Sequence, residues 1–262
     1  MLAVTILGNN SALAMHERHQ TAQLVSCKEQ YFLVDCGENT QGQLSKYKIK
    51  KSRINHIFIS HLHGDHYYGL IGLLNTYSLT NRKDALHLYA VPVLKEIIEL
   101  QLRSADATLG YELVFHPIIE AGTLFENSEL MINCFPVSHR IPCWGFVFKE
   151  KTKIRRERDE KLRSYAYCAD TKYDENILPH IMGADLIYHE STYLDDNMEK
   201  AADRYHSTSS QAARIAQKAG AGRLLIGHFS SKYTDLEPFE NEARKVFPAS
   251  EVSKEGVTYL VK

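Results

Sequence analysis

The chain has 262 residues, of which 44% are hydrophobic and 24% charged, and its formal net charge is −1. This length allows one large or two small domains with a substantial core. The near-neutral charge excludes a global basic field, so any nucleic-acid binding must come from a local patch. No run approaches the 18 apolar residues of a membrane span, so no membrane partner is expected. Five cysteines form no CxxC pair and the N-terminus has no secretory pattern, which predicts free thiols in a reducing cytoplasm.

The first half of the chain is rich in short apolar runs bounded by turn residues, and such runs predict β-strands. The strands are expected at Leu2–Leu7, Gln20–Ser26, Tyr31–Asp35, Ile54–Ser60, Leu86–Val91, Glu112–Pro117, Thr123–Phe125 and Leu130–Val137. Helices are expected over Asn39–Tyr47, Tyr67–Leu79 and Val93–Ala105. Pro92 fits the start of the third helix, because proline is favoured at the first positions of a helix.

The second half of the chain alternates strands and helices. Strands are expected at Cys143–Lys149, Ser164–Ala169, Asp185–Tyr188, Arg223–Ile226 and Gly256–Val261, and helices at Asp174–Met182, Ser209–Ala219 and Pro238–Val246. No linker and no internal repeat is visible. We therefore expect an α/β fold with a single domain over residues 1–262, in which two sheets pack face to face with helices outside, an αββα sandwich.

Three histidines and one aspartate fall within six residues, directly after the predicted strand Ile54–Ser60. They are His61, His63, Asp65 and His66. Imidazoles and a carboxylate at this close spacing are ligands that suit Zn²⁺ or a similar divalent metal. The order of strand, loop and helix places these ligands at the C-terminal end of a strand.

Three further ligand-type residues also follow predicted strands directly, namely His139, Asp170 and His228. Strand ends of this kind converge on one edge of an α/β fold, where functional sites commonly lie. Seven such groups suffice for two metals with one bridging carboxylate, and two metals roughly 3.5–4 Å apart can clamp a phosphodiester. A histidine without this context is more often structural, and we interpret four others in that way: His56, His87, His116 and His180.

Several short motifs accompany these ligands. They are Asp35–Glu38, His61–His66, Ser138–Arg140, Asp170-Thr171, His189–Thr192, His206–Thr208 and Gly227–Tyr233. With them the chain resembles the metallo-β-lactamase superfamily and, within it, the tRNase Z (ribonuclease Z) family, which removes 3′ trailers from precursor tRNA. The first histidine motif is specific only for the superfamily. The stretches His206–Thr208 and Gly227–Tyr233 favour tRNase Z over other branches.

The resemblance implies a metallo-β-lactamase fold and a role for each site residue. One of two zinc ions per subunit, or other divalent metals, would be bound by His61, His63 and His139, and the other by Asp65, His66 and His228, with Asp170 bridging. Asp65 would also orient the attacking water or accept its proton. His206 would donate a proton to the leaving oxygen, which leaves a 3′-hydroxyl on the tRNA, and Glu190 would hold its other nitrogen.

The stretch 149–163 is where the chain departs from the family, which usually carries a longer tRNA-binding arm there. It has eight Lys or Arg and four Asp or Glu. It is either a short basic arm that contacts phosphates or a solvated hairpin. The predicted substrate-binding residues are Lys149, Lys151, Lys153, Arg155, Arg156, Arg158 and, where the family usually has arginine, Lys232.

Two alternatives remain open from the sequence. One is a binuclear zinc phosphodiesterase for small phosphodiesters or short oligonucleotides, which would use the same metals without the arm. The other concerns assembly, since the family is commonly homodimeric. The helix Tyr67–Leu79 is a candidate dimer interface, or else it simply packs on its own sheet.

Overall fold

The structure, a computed structural model, describes residues 1–151 and 162–262. The strands in these ranges are β1 Leu2–Gly8, β2 Ala22–Cys27, β3 Gln30–Val34, β4 Ile54–Phe58, β5 Leu86–Ala90, β6 Leu113–Pro117, β7 Gly122–Glu126, β8 Leu130–Pro136, β9 Trp144–Glu150, β10 Ser164–Cys168, β11 Leu186–Glu190, β12 Leu224–Gly227, β13 Ser250–Val252 and β14 Thr258–Leu260. The α-helices are α1 Thr40–Lys46, α2 Gly64–Tyr67, α3 Leu70–Leu79, α4 Val93–Ser104, α5 Leu178–Ile181, α6 Met198–Asp203, α7 Ser209–Lys218 and α8 Glu237–Val246.

The strands form two seven-stranded sheets, and the two sheets share one pattern of pairing. The first sheet has the order β14-β1-β2-β3-β4-β5-β6 and the second β13-β12-β11-β10-β9-β8-β7. Pairing is antiparallel from β14 to β3 and parallel from β3 to β6. In the second sheet it is antiparallel from β7 to β10 and parallel from β10 to β13. The two sheets therefore repeat one topology, which the sequence did not reveal as a repeat.

The hydrophobic core is divided into three layers by these sheets. In β4, Phe58 faces the space between the sheets, whereas Ile57 packs under the helices of the first sheet. Tyr167 of β10 likewise faces the space between the sheets, and Ala166 packs under the helices of the second. Each buried large apolar side chain contributes about 1.5–3 kcal/mol relative to exposure. The expected αββα sandwich is confirmed, and the docking of its two sheets depends on the middle layer.

Two local expectations are corrected by the structure, and two short elements were not expected. The helix predicted over Tyr67–Leu79 is broken between α2 and α3, because the N–H of Gly69 donates to the Cys36 carbonyl and a Cβ at Gly69 would lie 2.2 Å from the Gly37 carbonyl. The helix predicted over Asp174–Met182 is a 3₁₀ turn followed by the single turn of α5. The short elements α6 and β13 were not predicted.

None of the helices in the two described ranges is long and apolar enough to cross a membrane.

Candidate binuclear metal centre

The structure brings all seven predicted metal ligands together in two clusters that share one carboxylate. His61, His63, Asp65 and His66 follow β4 of the first sheet, and His139, Asp170 and His228 follow β8, β10 and β12 of the second. Each cluster therefore takes side chains from both sheets, because the ends of these strands meet at one edge of the sandwich.

The first cluster consists of His61, His63, His139 and the shared Asp170. Nδ1 of His63 lies 3.0 Å from Nε2 of His61 and 3.0 Å from Nε2 of His139. Oδ2 of Asp170 lies 3.7 Å and 4.0 Å from the same two Nε2 atoms. Ligands at 2.0–2.1 Å around tetrahedral zinc lie roughly 3.3 Å apart, so this spacing fits such an ion.

The second cluster consists of Asp65, His66, His228 and the other oxygen of Asp170. Nε2 of His228 lies 3.3 Å from Oδ2 of Asp65 and 3.3 Å from Nε2 of His66. Oδ1 of Asp170 lies 3.1 Å from His228 Nε2 and 3.4 Å from His66 Nε2. The two oxygens of Asp170 thus face different clusters, as a bridging ligand requires.

Asp170, His61 and His63 have the protonation that metal binding needs. Burial opposes a charge on Asp170, but His228 and His66 hold the pKa of that carboxyl well below its usual range. Burial lowers the pKa of His61, and it lowers that of His63 to about 4, so both imidazoles are neutral. Oδ1 of Asp170 is buried and has no hydrogen-bond partner among the described residues. These features are those of a metal site, because a buried carboxylate oxygen without a donor is otherwise costly.

Hydrogen bonds to Nδ1 fix two of the imidazoles, those of His66 and His139. Oδ2 of Asp35 accepts from Nδ1 of His66 at 2.8 Å and from the hydroxyl of Tyr167 at 2.6 Å. Nδ1 of His139 donates to the Tyr205 carbonyl at 3.0 Å. Such outer contacts fix the ring orientation of a metal ligand. Asp35 was not predicted as a site residue, although it directly follows β3 just as the ligands follow their strands.

Asp35 and His228 have a left-handed backbone conformation. Asp35 has φ 56° and His228 has φ 61°. The left-handed region costs a non-glycine residue about 1 kcal/mol or more, and Asp and His are among the residue types that enter it most readily. Both residues directly follow a strand, so this backbone turn places each side chain in the interior of the site.

The predicted proton donor lies beside the second cluster. Nδ1 of His206 is 2.8 Å from Oε1 of Glu190, which is fully buried at the end of β11. Burial opposes a charge on His206, but the carboxylates of Glu190 and Asp170 outweigh it and raise the pKa of His206 to about 9. The predicted pair is therefore in contact, and His206 carries the proton that a general acid needs.

An open cavity of about 400 Å³ gives access to both clusters. His63, Asp65 and His206 line it, together with the exposed side chains of Arg140 and Arg204. The two arginines were not among the predicted substrate-binding residues. The available signals were that Arg140 belongs to the motif Ser138–Arg140 and that Arg204 lies two residues before His206.

The predicted basic substrate-binding residues have varied surroundings. Lys149 is exposed on β9, and Nζ of Lys151 is 2.6 Å from Oε1 of Glu126. Nζ of Lys232 donates to Oδ1 of Asn197 at 2.8 Å. The remaining predicted residues lie outside the described residues: Lys153, Arg155, Arg156 and Arg158.

Several known proteins are similar to this chain in sequence or in fold. A protein-family model described as "Anti-Pycsar protein Apyc1" matches residues 2–242. The chain is 40% identical to Ribonuclease Z of Cytophaga hutchinsonii, over 98% of this chain and 95% of that protein. It is 36% identical to Ribonuclease Z of Bacteroides fragilis, over 96% of each. The structure of human tRNase Z, short form, matches with a TM-score of 0.85 at 28% identity over 99% of both chains. The metallo-β-lactamase fold protein YhfI of Bacillus subtilis matches with a TM-score of 0.82 at 22% identity over 98% of both chains.

Proposed function

The chain belongs to the ribonuclease Z family and is a metal-dependent endoribonuclease that processes the 3′ ends of precursor tRNA, and we propose that it does so with two zinc ions per subunit. The seven ligands would be His61, His63 and His139 for one ion, Asp65, His66 and His228 for the other, and Asp170 between them. The chain also belongs to the family whose model is described as "Anti-Pycsar protein Apyc1".

The observation that carries this proposal is the shared position of Asp170 between two clusters, with the Glu190–His206 pair alongside. Bound divalent ions would supply Lewis acidity and lower the pKa of water toward neutrality. Asp65, which lines the cavity, would orient the attacking water and accept its proton. This arrangement suits phosphodiester hydrolysis, because charge develops on phosphoryl oxygens that the site must stabilise.

His206 would protonate the leaving oxygen. Glu190 occupies its Nδ1, so Nε2 would be the atom that gives up the proton to O3′ of the tRNA. The P–O3′ bond breaks as this proton is transferred, and the tRNA leaves with a 3′-hydroxyl while the trailer retains the phosphate. General acid catalysis of this kind contributes typically 10²–10⁴-fold.

The cavity surroundings support an RNA substrate. Arg140 and Arg204 are exposed on the cavity wall, where their guanidinium groups would contact phosphates on either side of the scissile one. Lys232 lies 5.4 Å from the ring centroid of Tyr193, which also lines the cavity. The basic stretch 149–163 would add further phosphate contacts, and its binding would be strongly salt-dependent.

We also propose a homodimer in the cytoplasm. In α3, Leu73 and Tyr77 pack on their own sheet, but Leu79 at the end of the helix is 83% exposed. Tyr68, which lies between α2 and α3, is 66% exposed. In the proposed dimer these two side chains would be covered by the partner subunit. All five cysteines are free and buried, which suits a reducing compartment. Sedimentation equilibrium of the protein and of Y68E would test the dimer, and a wild-type monomer would overturn it.

Cleavage of a 3′-extended tRNA transcript, combined with metal analysis, tests the proposed function. We expect about two zinc ions per chain and a single cut that leaves a 3′-hydroxyl, and H206A should lower kcat by 10²–10⁴-fold. Bis(p-nitrophenyl) phosphate serves as the comparison substrate. If the protein hydrolyses this ester but leaves precursor tRNA uncut at low salt, it is instead a phosphodiesterase for small substrates.

A further inference from the structure

We propose that Thr192 is a positioning residue whose hydroxyl connects the proton donor pair to the second metal cluster. Through it, the single carboxylate of Glu190 would hold both His206 and His228. This inference rests on the proposed role of His228 as a metal ligand. Thr192 lies two residues beyond the end of β11 and is only 3% exposed.

The hydroxyl of Thr192 lies among three functional side chains. Its Oγ1 is 2.8 Å from Oε2 of Glu190 and 2.9 Å from Nδ1 of His228. Nδ1 of His206 lies further away, at 3.2 Å, and has a shorter contact of 2.8 Å with Oε1 of Glu190. The strong contacts of this hydroxyl are therefore with Glu190 on one side and His228 on the other.

A hydroxyl has one proton to donate, so the direction of the two bonds can be assigned. Glu190 is fully buried, and its Oε1 already accepts from the backbone N–H groups of Thr171 and Ser207. A carboxylate with several donors is ionised and can only accept. The Thr192 hydroxyl must then donate to Glu190, and its free lone pair accepts from Nδ1–H of His228.

This direction determines which nitrogen of His228 is available to a metal. With the proton on Nδ1, the lone pair of Nε2 is free, and Nε2 is the atom 3.1 Å from Oδ1 of Asp170 and 3.3 Å from Oδ2 of Asp65. The opposite direction would put a proton on Nε2, inside the second cluster. Thr192 therefore selects the tautomer of His228 that can bind a cation.

His66 and His139 each have Nδ1 held by a different group. Nδ1 of His66 is held by Asp35, and Nδ1 of His139 is held by the Tyr205 carbonyl. Only at His228, among these three, does the holding group also contact the carboxylate that holds the proton donor. Loss of the hydroxyl should thus weaken the second metal site and disturb His206 together.

Three variants separate this role from a packing role. T192V keeps the shape and removes the hydroxyl, T192S keeps the hydroxyl, and S191A is a matched control. Oγ of Ser191 is fully buried and has no hydrogen-bond partner within the described residues, so its removal breaks no bond. The metal-free proteins would be titrated with Zn²⁺ against a chromophoric chelator, which reports both binding steps without any activity measurement.

We expect T192V to bind one of the two Zn²⁺ ions 10–100-fold more weakly, as is typical when an outer-shell partner is removed. T192S should bind within about threefold of wild type and S191A should be unchanged. Equal affinity of T192V and wild type, or equal weakening in T192V and T192S, would overturn the inference. If T192V does not fold, ¹⁵N NMR of the Zn²⁺-loaded wild type decides, because a protonated Nδ1 of His228 supports the inference and an unprotonated one refutes it.

The same titration keeps this inference separate from the proposed function. Wild type that leaves precursor tRNA uncut, while T192V still loses Zn²⁺ affinity, would remove the substrate assignment alone. Wild type that cuts precursor tRNA, while T192V binds Zn²⁺ normally, would remove the role of Thr192 alone.

Discussion

Replacement of Glu190 by glutamine should damage stability and catalysis together. Oε1 of Glu190 accepts from Thr171 N, His206 Nδ1 and Ser207 N at 3.2, 2.8 and 3.0 Å. Oε2 accepts from the backbone N and the hydroxyl of Thr192 at 2.9 and 2.8 Å. The side-chain NH₂ of glutamine can only donate, so it must face at least two of these donors whichever way the amide is oriented.

The less costly orientation puts the NH₂ group at the Oε2 position. The hydroxyl of Thr192 can rotate, but its backbone N–H cannot, and a buried unsatisfied donor costs about 1–3 kcal/mol. The lost charge on Glu190 also weakens its hydrogen bond to His206, which as a charged pair contributes about 1.5–3 kcal/mol. We therefore expect E190Q to lose about 2–4 kcal/mol of unfolding free energy, with a 10²–10⁴-fold lower kcat from the misplaced proton donor.

Urea unfolding of the metal-free protein and single-turnover cleavage of 3′-extended tRNA would measure the two effects. E242Q is a matched control. Glu242 also accepts from a hydroxyl, that of Ser209, and from a backbone N–H, that of Asp195, but it contacts none of the predicted metal ligands in these bonds. It should lose less than about 1 kcal/mol and keep its kcat. The reasoning is refuted if E190Q unfolds within 1 kcal/mol of wild type or keeps kcat within about threefold.

Other perturbations test the metal, the core and the cavity wall. Chelation should abolish cleavage and lower the melting temperature, and added Zn²⁺ should restore both; cleavage by protein that metal analysis shows to be metal-free would contradict the site assignment. Burial and the neighbouring His87 lower the pKa of His56 from 6.5 to about 4, so the unfolded chain binds a proton that the folded one does not. Stability should fall by up to about 3 kcal/mol as pH drops from 6.5 to 4, and H56F should flatten this fall in a pH series of urea melts; an unchanged slope would count against it. The double variant R140A/R204A should raise KM for tRNA and reduce the salt dependence by about one unit per lost phosphate contact, whereas an unchanged salt slope would show that neither arginine contacts phosphate.

The clustering of the predicted metal ligands could be expected from the sequence because it depends on a local rule. Each predicted ligand directly follows a short apolar run, and such runs form strands whose ends meet at one edge. His139 and His228 could therefore be placed near His61 from sequence order alone. The structure brings them within hydrogen-bonding distance of their cluster partners.

The supporting contacts were not predictable, because they join residues that are distant in the chain. Tyr167 contacts Asp35 across a separation of 132 residues, and no local pattern encodes that pair. The break between α2 and α3 has a similar cause, since Gly69 is held by the Cys36 carbonyl of another segment. Helical spacing predicts a continuous helix there, and a tertiary contact overrides the local preference.

The division of the ligands between the two sheets has a consequence for the lifetime of the folded chain. Neither sheet alone carries a complete cluster, so metal occupancy stabilises the packing of one sheet on the other. By mass action, each tenfold rise in free metal above its dissociation constant adds about 1.4 kcal/mol to the folded state. A chain without metal would lose this contribution, so the supply of metal in the cell would affect the amount of folded enzyme as well as its turnover.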